Sequence, residues 1–386
     1  MSYLMPTYAR QPISFTRGQG SYLYTADGTA YLDALTGIAV CGLGHCYAPI
    51  SQAIKEQADT LIHTSNLFGI DWQEKAGQML CERADMDKVF FANSGAEANE
   101  CALKLARLYA HNKGLKRPKV IVMDNSFHGR TLLTVTATAN PKARAGFFTL
   151  EDDFIRVPFN DINAVQAVAD DPDICAILLE PIQGEGGLHT PNASYLEGIA
   201  KIANDNDWLL MLDEVQTGNG RTGKYFAYQY TSIKPDVLTT AKGLGNGFPV
   251  GACMVAGKAQ DLFGAGSHGS TYGGTPLGSR VVCAVYEHLT PEVLDNALHQ
   301  SDKIRKAVAD NFANIEIRGK GMMIGLALPQ GIDCSKIVDM ARDEFHLILN
   351  VTGGNVIRLL PALNISDADT AVLIEKLLAL LAKVLN

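Results

Sequence analysis

Basic residues are in deficit along this chain. It has 33 lysines and arginines against 41 aspartates and glutamates, so its formal net charge is -8. No block of basic residues stands out in the sequence. This charge balance argues against nucleic acid or an anionic membrane surface as a partner.

Long apolar runs are also missing. No stretch of about 18 apolar residues occurs that could span a membrane. The start of the chain, MSYLMPTYAR, lacks the basic and apolar regions of a secretory signal. We therefore expect a cytoplasmic protein.

The cysteines form no C-x-x-C pair and have no clustered histidines beside them. This spacing favours reduced cysteines packed in the core over a zinc site, so we expect no bound metal. They are Cys41, Cys46, Cys81, Cys101, Cys175, Cys253, Cys283 and Cys334.

The middle of the chain alternates short apolar runs with helical periods. Hydrophobic residues make up 47% of the 386 residues, which is enough to bury a large core. Apolar runs linked by helices are typical of strands buried on both faces, so the pattern predicts an α/β fold with a largely parallel sheet. Residues 98–109 keep the spacing of one helix face. The runs lie at 88–92, 119–123, 174–181, 208–214, 237–241 and 250–256.

The two ends of the chain have a different pattern. Residues 20–32 carry tyrosines on either side of an Asp27-Gly28 turn, which predicts a hairpin. Helical patterns near 280–312 and 366–385 flank short strand patterns. They predict a smaller α+β domain that begins near residue 276.

Charged side chains follow two of the predicted strands. Asp213 and Glu214 end the run LLMLDE, and Lys242 follows VLTTA and precedes glycines. The carboxyl ends of strands face the ligand crevice of an α/β sheet, so an acid there could pair with a cationic ring nitrogen or a metal. A partly desolvated lysine can form a Schiff base with an aldehyde. Each residue alone could be a cap or a solvated loop residue, but together they favour one shared site.

Residues 93–97, Asn-Ser-Gly-Ala-Glu, lie where a predicted strand meets the predicted helix. The free N–H groups of a helix N-terminus suit a phosphate. Ser94 with Glu97 also fits an ordinary capping box, so both interpretations remain open.

A glycine pattern at residues 218–223, GNGRTG, matches the G-x-G-x-x-G dinucleotide fingerprint. Other residues separate the preceding strand from the first glycine, and no second strand ends in an acid about 20 residues further on. We therefore interpret the match as coincidental and predict a flexible loop over the site.

The segment SFHGRT follows the run at 119–123 and leads into TLLTVTA, which is strand-like. Phe127 could stack on a planar ring and Arg130 could clamp a carboxylate, or both could be structural. We expect His128 to be a hydrogen-bonded structural histidine. The spacing of Glu180 and Glu185 does not fix a role for either.

The loop at residues 268–274, HGSTYGG, is rich in small residues and hydroxyls. It could contact a phosphate or simply form a turn. Its composition does not decide between these two interpretations.

Taken in order, NSGAEANE, SFHGRT, QGEGG, DEVQTGNGRTG, AKGLGNG and HGSTYGG resemble the class III (ornithine-type) aminotransferases, which use pyridoxal 5'-phosphate. The similarity covers nearly the whole chain and, within the class, is greatest to the acetylornithine-specific group. It implies the α/β fold called fold type I. In this fold, a large domain with a mostly parallel sheet of seven strands joins a small α+β domain made by the chain ends. The implied boundaries are 1–50 for the N-terminal segment of the small domain, 51–275 for the large cofactor-binding domain and 276–386 for the rest of the small domain.

The resemblance implies cofactor roles at individual positions. Lys242 would hold the cofactor covalently and move the substrate proton, and Asp213 would keep the pyridine nitrogen protonated. Gln216 would lie beside the ring hydroxyl, and Phe127 would stack on the ring. The other implied cofactor contacts are Ser94, Gly95, Ala96, Glu214, Val215 and, from the neighbouring subunit of a homodimer, Thr271.

The resemblance also implies a reaction. The terminal amine of N2-acetyl-L-ornithine would pass to 2-oxoglutarate in two half-reactions with ping-pong kinetics, as in arginine biosynthesis. Arg130 and Ser270 would contact the donor, and Arg358 would bind the α-carboxylate of glutamate. Glu185 would pair with Arg358 during the first half-reaction, so that a terminal amine rather than an α-amine reaches the ring.

Two positions depart from the family pattern. Cys41 stands where relatives often carry asparagine, and Gly69 stands where a tyrosine is common. We expect both to lie near the substrate channel and to affect donor specificity. The alternative donors are therefore ornithine, succinylornithine, 4-aminobutyrate and succinyldiaminopimelate. More distant alternatives for the whole protein are an aminomutase, a nicotinamide dehydrogenase and a non-enzymatic binding protein.

Overall fold

A computed structural model describes residues 3–385, in which fifteen strands alternate with twelve α-helices. The strands are β1 (Arg17–Gln19), β2 (Tyr22–Tyr24), β3 (Ala30–Asp33), β4 (Lys88–Ala92), β5 (Lys119–Met123), β6 (Phe154–Val157), β7 (Ile174–Leu179), β8 (Leu209–Asp213), β9 (Val237–Thr240), β10 (Gly251–Val255), β11 (Glu316–Lys320), β12 (Met323–Ala327), β13 (Leu347–Ile348), β14 (Asn350–Thr352) and β15 (Val356–Leu359).

The helices are α1 (Thr36–Ala39), α2 (Ala48–Thr60), α3 (Asp71–Ala84), α4 (Gly95–Asn112), α5 (Leu132–Ala137), α6 (Pro141–Arg144), α7 (Ile162–Ala167), α8 (Ala193–Asp205), α9 (Pro276–His288), α10 (Pro291–Asn311), α11 (Ile337–Phe345) and α12 (Asp367–Leu385). Short 3₁₀ turns lie at Glu151–Asp153, Ala227–Tyr230, Lys242–Leu244, Gly257–Ala259 and Cys334–Lys336. Within residues 3–385, no helix combines the length and the low polarity needed to cross a bilayer.

Seven strands form the central sheet, in the order β4-β10-β9-β8-β7-β5-β6. Strand β10 is antiparallel to both of its neighbours, and all other neighbouring pairs are parallel. Strands β7, β8 and β9 are buried along their whole length because helices cover both faces of the sheet. The mostly parallel α/β sheet predicted from the apolar runs is confirmed.

Two segments of this region differ from the sequence prediction. The strand-like TLLTVTA folds as helix α5, in which the Thr136 hydroxyl donates to the carbonyl of Leu132 at 2.7 Å. Such back-bonding to the helix's own carbonyls satisfies a buried threonine without a neighbouring strand. Strand β6 was not predicted, because its four residues include Arg156 and form no apolar run.

The two ends of the chain meet in a second sheet. Strands β2 and β3 form the predicted hairpin, with Tyr22 opposite Leu32. Strand β13 then pairs in parallel with β3, which places Leu347 opposite Leu32. Helix α9, by contrast, packs against α3, where the Arg280 guanidinium lies 4.8 Å from the centre of the Trp72 ring. The exact boundaries between domains remain a prediction.

The glycine-rich loop at 218–223 is buried, so the prediction of a flexible cover is wrong. Arg221 is only 2% exposed, and its Nη1 donates to the carbonyl oxygens of Met322 and Pro361. Asn219 is also buried, and its Nδ2 donates to Thr240 Oγ1 at the end of β9 and to the Ala241 carbonyl. The loop therefore fastens the central sheet to the C-terminal part of the chain.

Candidate active site

A cavity of about 370 Å³ opens at the edge of the central sheet. Its walls come from the residues that follow the carboxyl ends of β4, β5, β7, β8 and β9, which is where ligands bind in open α/β sheets. The predicted site residues that line it are Ser94, Gly95, Ala96, Phe127, Arg130, Glu185, Asp213, Val215, Gln216 and Lys242.

The N-terminus of α4 forms one wall of this cavity. Ser94 caps the helix, because its Oγ accepts a hydrogen bond from the Glu97 amide at 3.2 Å. The N–H groups of Gly95 and Ala96 open the helix and have no acceptor one turn earlier, so they are available to an anion. A Cβ on Gly95 would lie 2.7 Å from the Val215 side chain, which explains the glycine at this close approach.

Asp213 lies at the floor of the cavity and is 4% exposed. Its Oδ2 accepts hydrogen bonds from Asn99 Nδ2 at 2.7 Å and from His128 Nδ1 at 2.8 Å. Its Oδ1 accepts one from the Val215 amide at 3.0 Å. These three donors fix the carboxylate at the end of β8.

Lys242 follows β9 with a left-handed φ of +46°, a strained conformation for a residue with a side chain. Burial lowers the pKa of its amine to about 8, although the carboxylates of Glu185 and Asp213 oppose the shift. No side chain among residues 3–385 hydrogen bonds to its Nζ. More of the amine is therefore unprotonated near neutral pH than in an ordinary lysine, and the unprotonated amine is the state that attacks a carbonyl carbon.

Arg358 is fully buried on β15, behind the cavity. Its Nη1 donates to Glu185 Oε1 at 2.6 Å, to the Gly184 carbonyl at 2.9 Å and to Gln216 Oε1 at 3.3 Å. Its Nη2 is buried and has no acceptor within residues 3–385, so part of the guanidinium remains available for a ligand carboxylate. Burial disfavours the charge on Glu185, but Arg358 outweighs this effect and lowers the pKa of Glu185.

Glu214 is not among the residues that line the cavity, so its predicted cofactor contact stays a prediction. Its carboxylate turns away and accepts hydrogen bonds from the amides of Ala227 and Tyr228 at 2.7 Å and 2.8 Å, and from the Thr217 hydroxyl. Burial raises the pKa of Glu214 to about 7. The two adjacent carboxylates therefore have different partners, since that of Asp213 bonds to Asn99 and His128.

Ser270 and Thr271 also lie outside the cavity of their own chain. Ser270 Oγ accepts from Asn93 Nδ2 at 3.1 Å, on the outer side of the strand end, and Thr271 is exposed. Neither residue lines the cavity formed by the same chain.

Two buried polar residues at the site were not predicted as functional. Asn99 lies on the buried face of α4 and donates to Asp213. In the sequence, only its position as a polar residue among the apolar residues of this helix face could have pointed to it. Glu180 accepts hydrogen bonds from the Phe127 amide at 3.0 Å and the Gly184 amide at 2.9 Å. Glu180 thereby ties two loops of the site together, and burial raises its pKa to about 7.

The residues present fit a phosphorylated pyridine aldehyde. The open N–H groups of α4 suit its phosphate, the amine of Lys242 suits its aldehyde, and the carboxylate of Asp213 suits its ring nitrogen. Phe127 lies on the wall between these groups, with the Arg130 guanidinium 5.7 Å from the centre of its ring. Within residues 3–385 no three His, Cys, Asp or Glu side chains are grouped to hold a metal.

Solved aminotransferase structures have the same fold as this chain. The ornithine aminotransferase from Toxoplasma gondii superposes with a TM-score of 0.94 at 31% identity, over 99% of this chain and 93% of that chain. The N-acetylornithine aminotransferase from Stenotrophomonas maltophilia superposes with a TM-score of 0.86 at 32% identity, over 97% of both chains.

Sequence relatives cover the whole chain. An acetylornithine aminotransferase from Nitrosomonas europaea is 48% identical over 99% of this chain and 98% of its own length. Acetylornithine aminotransferase 1 from Bordetella pertussis is 43% identical over 100% of this chain and 98% of its own length. The family model described as Aminotransferase class-III matches residues 4–381, and the chain is therefore a member of the class III aminotransferases.

Proposed function

We propose that the chain transfers the terminal amino group of N2-acetyl-L-ornithine to 2-oxoglutarate, with pyridoxal 5'-phosphate as cofactor, and so serves arginine biosynthesis. The products are N-acetyl-L-glutamate 5-semialdehyde and L-glutamate. The observation that carries the proposal is the single cavity that joins the amine of Lys242, the carboxylate of Asp213 and the N-terminus of α4. The choice of donor is supported by relatives named acetylornithine aminotransferase at 42% to 48% identity.

Each half-reaction moves one proton between carbon atoms, and the chain supplies the base. The cofactor, when bound, provides an electron sink for the carbon that loses the proton. Lys242 Nζ, with its pKa lowered to about 8, takes the proton from one carbon and returns it to another. Asp213 and Phe127 both line the cavity, where Asp213 would accept from the ring nitrogen and Phe127 would cover one face of the ring.

Substrate orientation comes from two arginines at different depths. Arg130 is exposed at the cavity wall and would hold the α-carboxylate of the acylated donor, together with Ser270 of a neighbouring subunit. Arg358 is buried and paired with Glu185 in this state. In the second half-reaction, Glu185 would release Arg358, which would then bind the α-carboxylate of glutamate.

Replacing Glu185 by glutamine should weaken the discrimination between terminal and α-amines. Without the carboxylate, Arg358 is open to a substrate α-carboxylate in both half-reactions, so we expect the ratio of kcat/KM for N2-acetyl-L-ornithine to that for L-glutamate as amino donor to fall about tenfold. Steady-state kinetics with each donor measures this ratio. An unchanged ratio would remove Glu185 from the proposed switch.

We also propose that the active unit is a homodimer in the cytoplasm. Exposed apolar side chains lie beside the loop that carries Thr271. Asn66 Nδ2 donates to the Ser270 carbonyl of this loop at 3.1 Å, and Leu67, next to Asn66, is 87% exposed. Tyr272, next to Thr271, is 65% exposed. Such a patch favours burial against another subunit, whose site Thr271 could then reach. The cysteines of the described chain are all unpaired, which suits a reducing compartment.

The choice of donor is tested with the purified protein loaded with cofactor. We expect N2-acetyl-L-ornithine to convert the cofactor to its amine form and to give glutamate with 2-oxoglutarate, with a kcat/KM at least about tenfold above that of ornithine or 4-aminobutyrate. Absorption spectra follow the first half-reaction, and coupled assay of glutamate follows the second. A higher kcat/KM for another amine would show that the proposed donor is wrong while leaving the family chemistry intact.

A further inference from the structure

Asn99 uses every polar group of its side chain beneath the cavity. Its Nδ2 donates to Asp213 Oδ2 at 2.7 Å and to the His128 carbonyl at 2.8 Å, and its Oδ1 accepts from Thr239 Oγ1 at 2.6 Å. If the amide oxygen and nitrogen were exchanged, the amide oxygen would face Asp213 Oδ2 and the His128 carbonyl oxygen, and neither contact would have a donor. The three partners therefore fix the orientation of the amide.

His128 supplies the second donor to the same carboxylate oxygen. Its Nδ1 lies 2.8 Å from Asp213 Oδ2, and because a carboxylate oxygen accepts, we assign the ring proton to Nδ1. Its Nε2 is buried and has no partner within residues 3–385. Among the residues that the structure describes, the ring therefore has a polar contact with Asp213 alone.

These donors leave one acceptor direction open on Asp213. A carboxylate offers about four acceptor positions, and here Oδ2 meets Asn99 and His128 while Oδ1 meets the Val215 amide. The carboxylate also lines the cavity. The fourth position is therefore the one that a ligand donor in the cavity would occupy.

We infer that Asn99 and His128 are positioning residues that hold Asp213 with its open acceptor direction toward the ring nitrogen of pyridoxal phosphate. This inference rests on the proposed function. Neither residue needs to contact the ring. Both act by removing the rotational freedom of the carboxylate, so that its contact with the ring nitrogen costs no reorganisation.

The inference can be tested with two forms of the cofactor. In 1-deazapyridoxal 5'-phosphate, carbon replaces the ring nitrogen, so the ligand has no donor for Asp213. We expect Asn99→Leu and His128→Phe each to weaken binding of pyridoxal phosphate at least about tenfold, while binding of the deaza analogue changes less than about twofold. Absorbance titration of the cofactor-free protein measures both dissociation constants.

Conservative variants separate positioning from simple packing. His128→Asn keeps an N–H donor at the δ position and should restore pyridoxal phosphate affinity to within a few-fold of wild type. Thr239→Val removes only the hydroxyl that orients Asn99, so it should lower the affinity for pyridoxal phosphate less than Asn99→Leu does. If Asn99→Leu does not fold, His128→Phe and Thr239→Val provide the same comparison.

A partly buried amide that does not line the cavity provides the control. Asn296 donates to the carbonyls of Leu363 and Ile365, so Asn296→Leu loses comparable hydrogen bonds without touching Asp213. We expect it to leave the ratio of the two cofactor affinities unchanged.

Equal weakening of both cofactors in the Asn99 and His128 variants, or no weakening of either, would overturn the inference. If wild-type protein itself binds the two cofactors equally, the contact between Asp213 and the ring nitrogen is wrong, and the proposed function fails at that step instead.

Discussion

Replacing Lys242 by alanine should lower the rate of amino transfer at least about 10⁴-fold, the largest loss expected of any single change in this chain. Lys242 is the one lysine among the residues that line the described cavity, and its amine has no hydrogen-bonded partner within residues 3–385. The variant loses both the covalent link to the cofactor and the base that moves the proton. Single-turnover kinetics with N2-acetyl-L-ornithine measures the loss.

The covalent link gives an independent measure of the same assignment. Borohydride reduction of the wild-type protein loaded with cofactor should add the cofactor mass to the peptide that contains Lys242, and to no peptide in Lys242→Ala. Lys258 bonds to the Trp208 carbonyl outside the cavity, so Lys258→Ala should keep a rate close to wild type. Cofactor mass on another lysine of the wild-type protein would contradict the assignment.

Asp213→Asn should reduce turnover about 10³-fold with little change in side-chain volume. The asparagine amide must place an N–H group either against the donors of Asn99 and His128 or against the ring nitrogen. In the first case, the N–H of the new amide faces the N–H groups of Asn99 and His128 in a buried place, which is unfavourable. In the second case, the ring nitrogen loses the oxygen that accepts from it. Comparison of kcat and cofactor affinity with wild type tests the prediction.

The neighbouring acid offers a control one residue away. The Glu214 carboxylate does not line the cavity and instead holds the amides of Ala227 and Tyr228. Glu214→Gln should therefore lower the melting temperature while turnover stays within a few-fold of wild type. An equal loss of turnover in both variants would show that the two strand-end acids have been assigned incorrectly.

The strands and the strand-end residues were predictable because they follow from local pattern. Apolar runs such as LLMLD are long enough to identify β8, and in a parallel sheet the residue after each run lies at the ligand edge. Asp213 and Lys242 could therefore be paired before their distance in space was known. Their family roles came from resemblance, since spacing alone leaves a cap or a solvated lysine open.

Other features depend on contacts that no local pattern contains. Asn99 matters because Asp213 and Thr239 come from two different strands and meet it in space. The loop at 218–223 is rich in glycine, which predicts mobility, yet the buried Arg221 anchors it to distant carbonyls. In both cases the decisive partner lies far away along the chain.

The parallel pairing of β3 with β13 has a consequence for biosynthesis. Leu32 leaves the ribosome early, but its partner Leu347 follows only near the end of translation, roughly 15 to 60 seconds later at typical bacterial and eukaryotic rates. During that interval the hairpin of β2 and β3 has an open edge that can pair with another nascent chain. Arg358 is made later still, so a ribosome that stalls before the last strands releases a chain with an open hairpin edge and an incomplete substrate site.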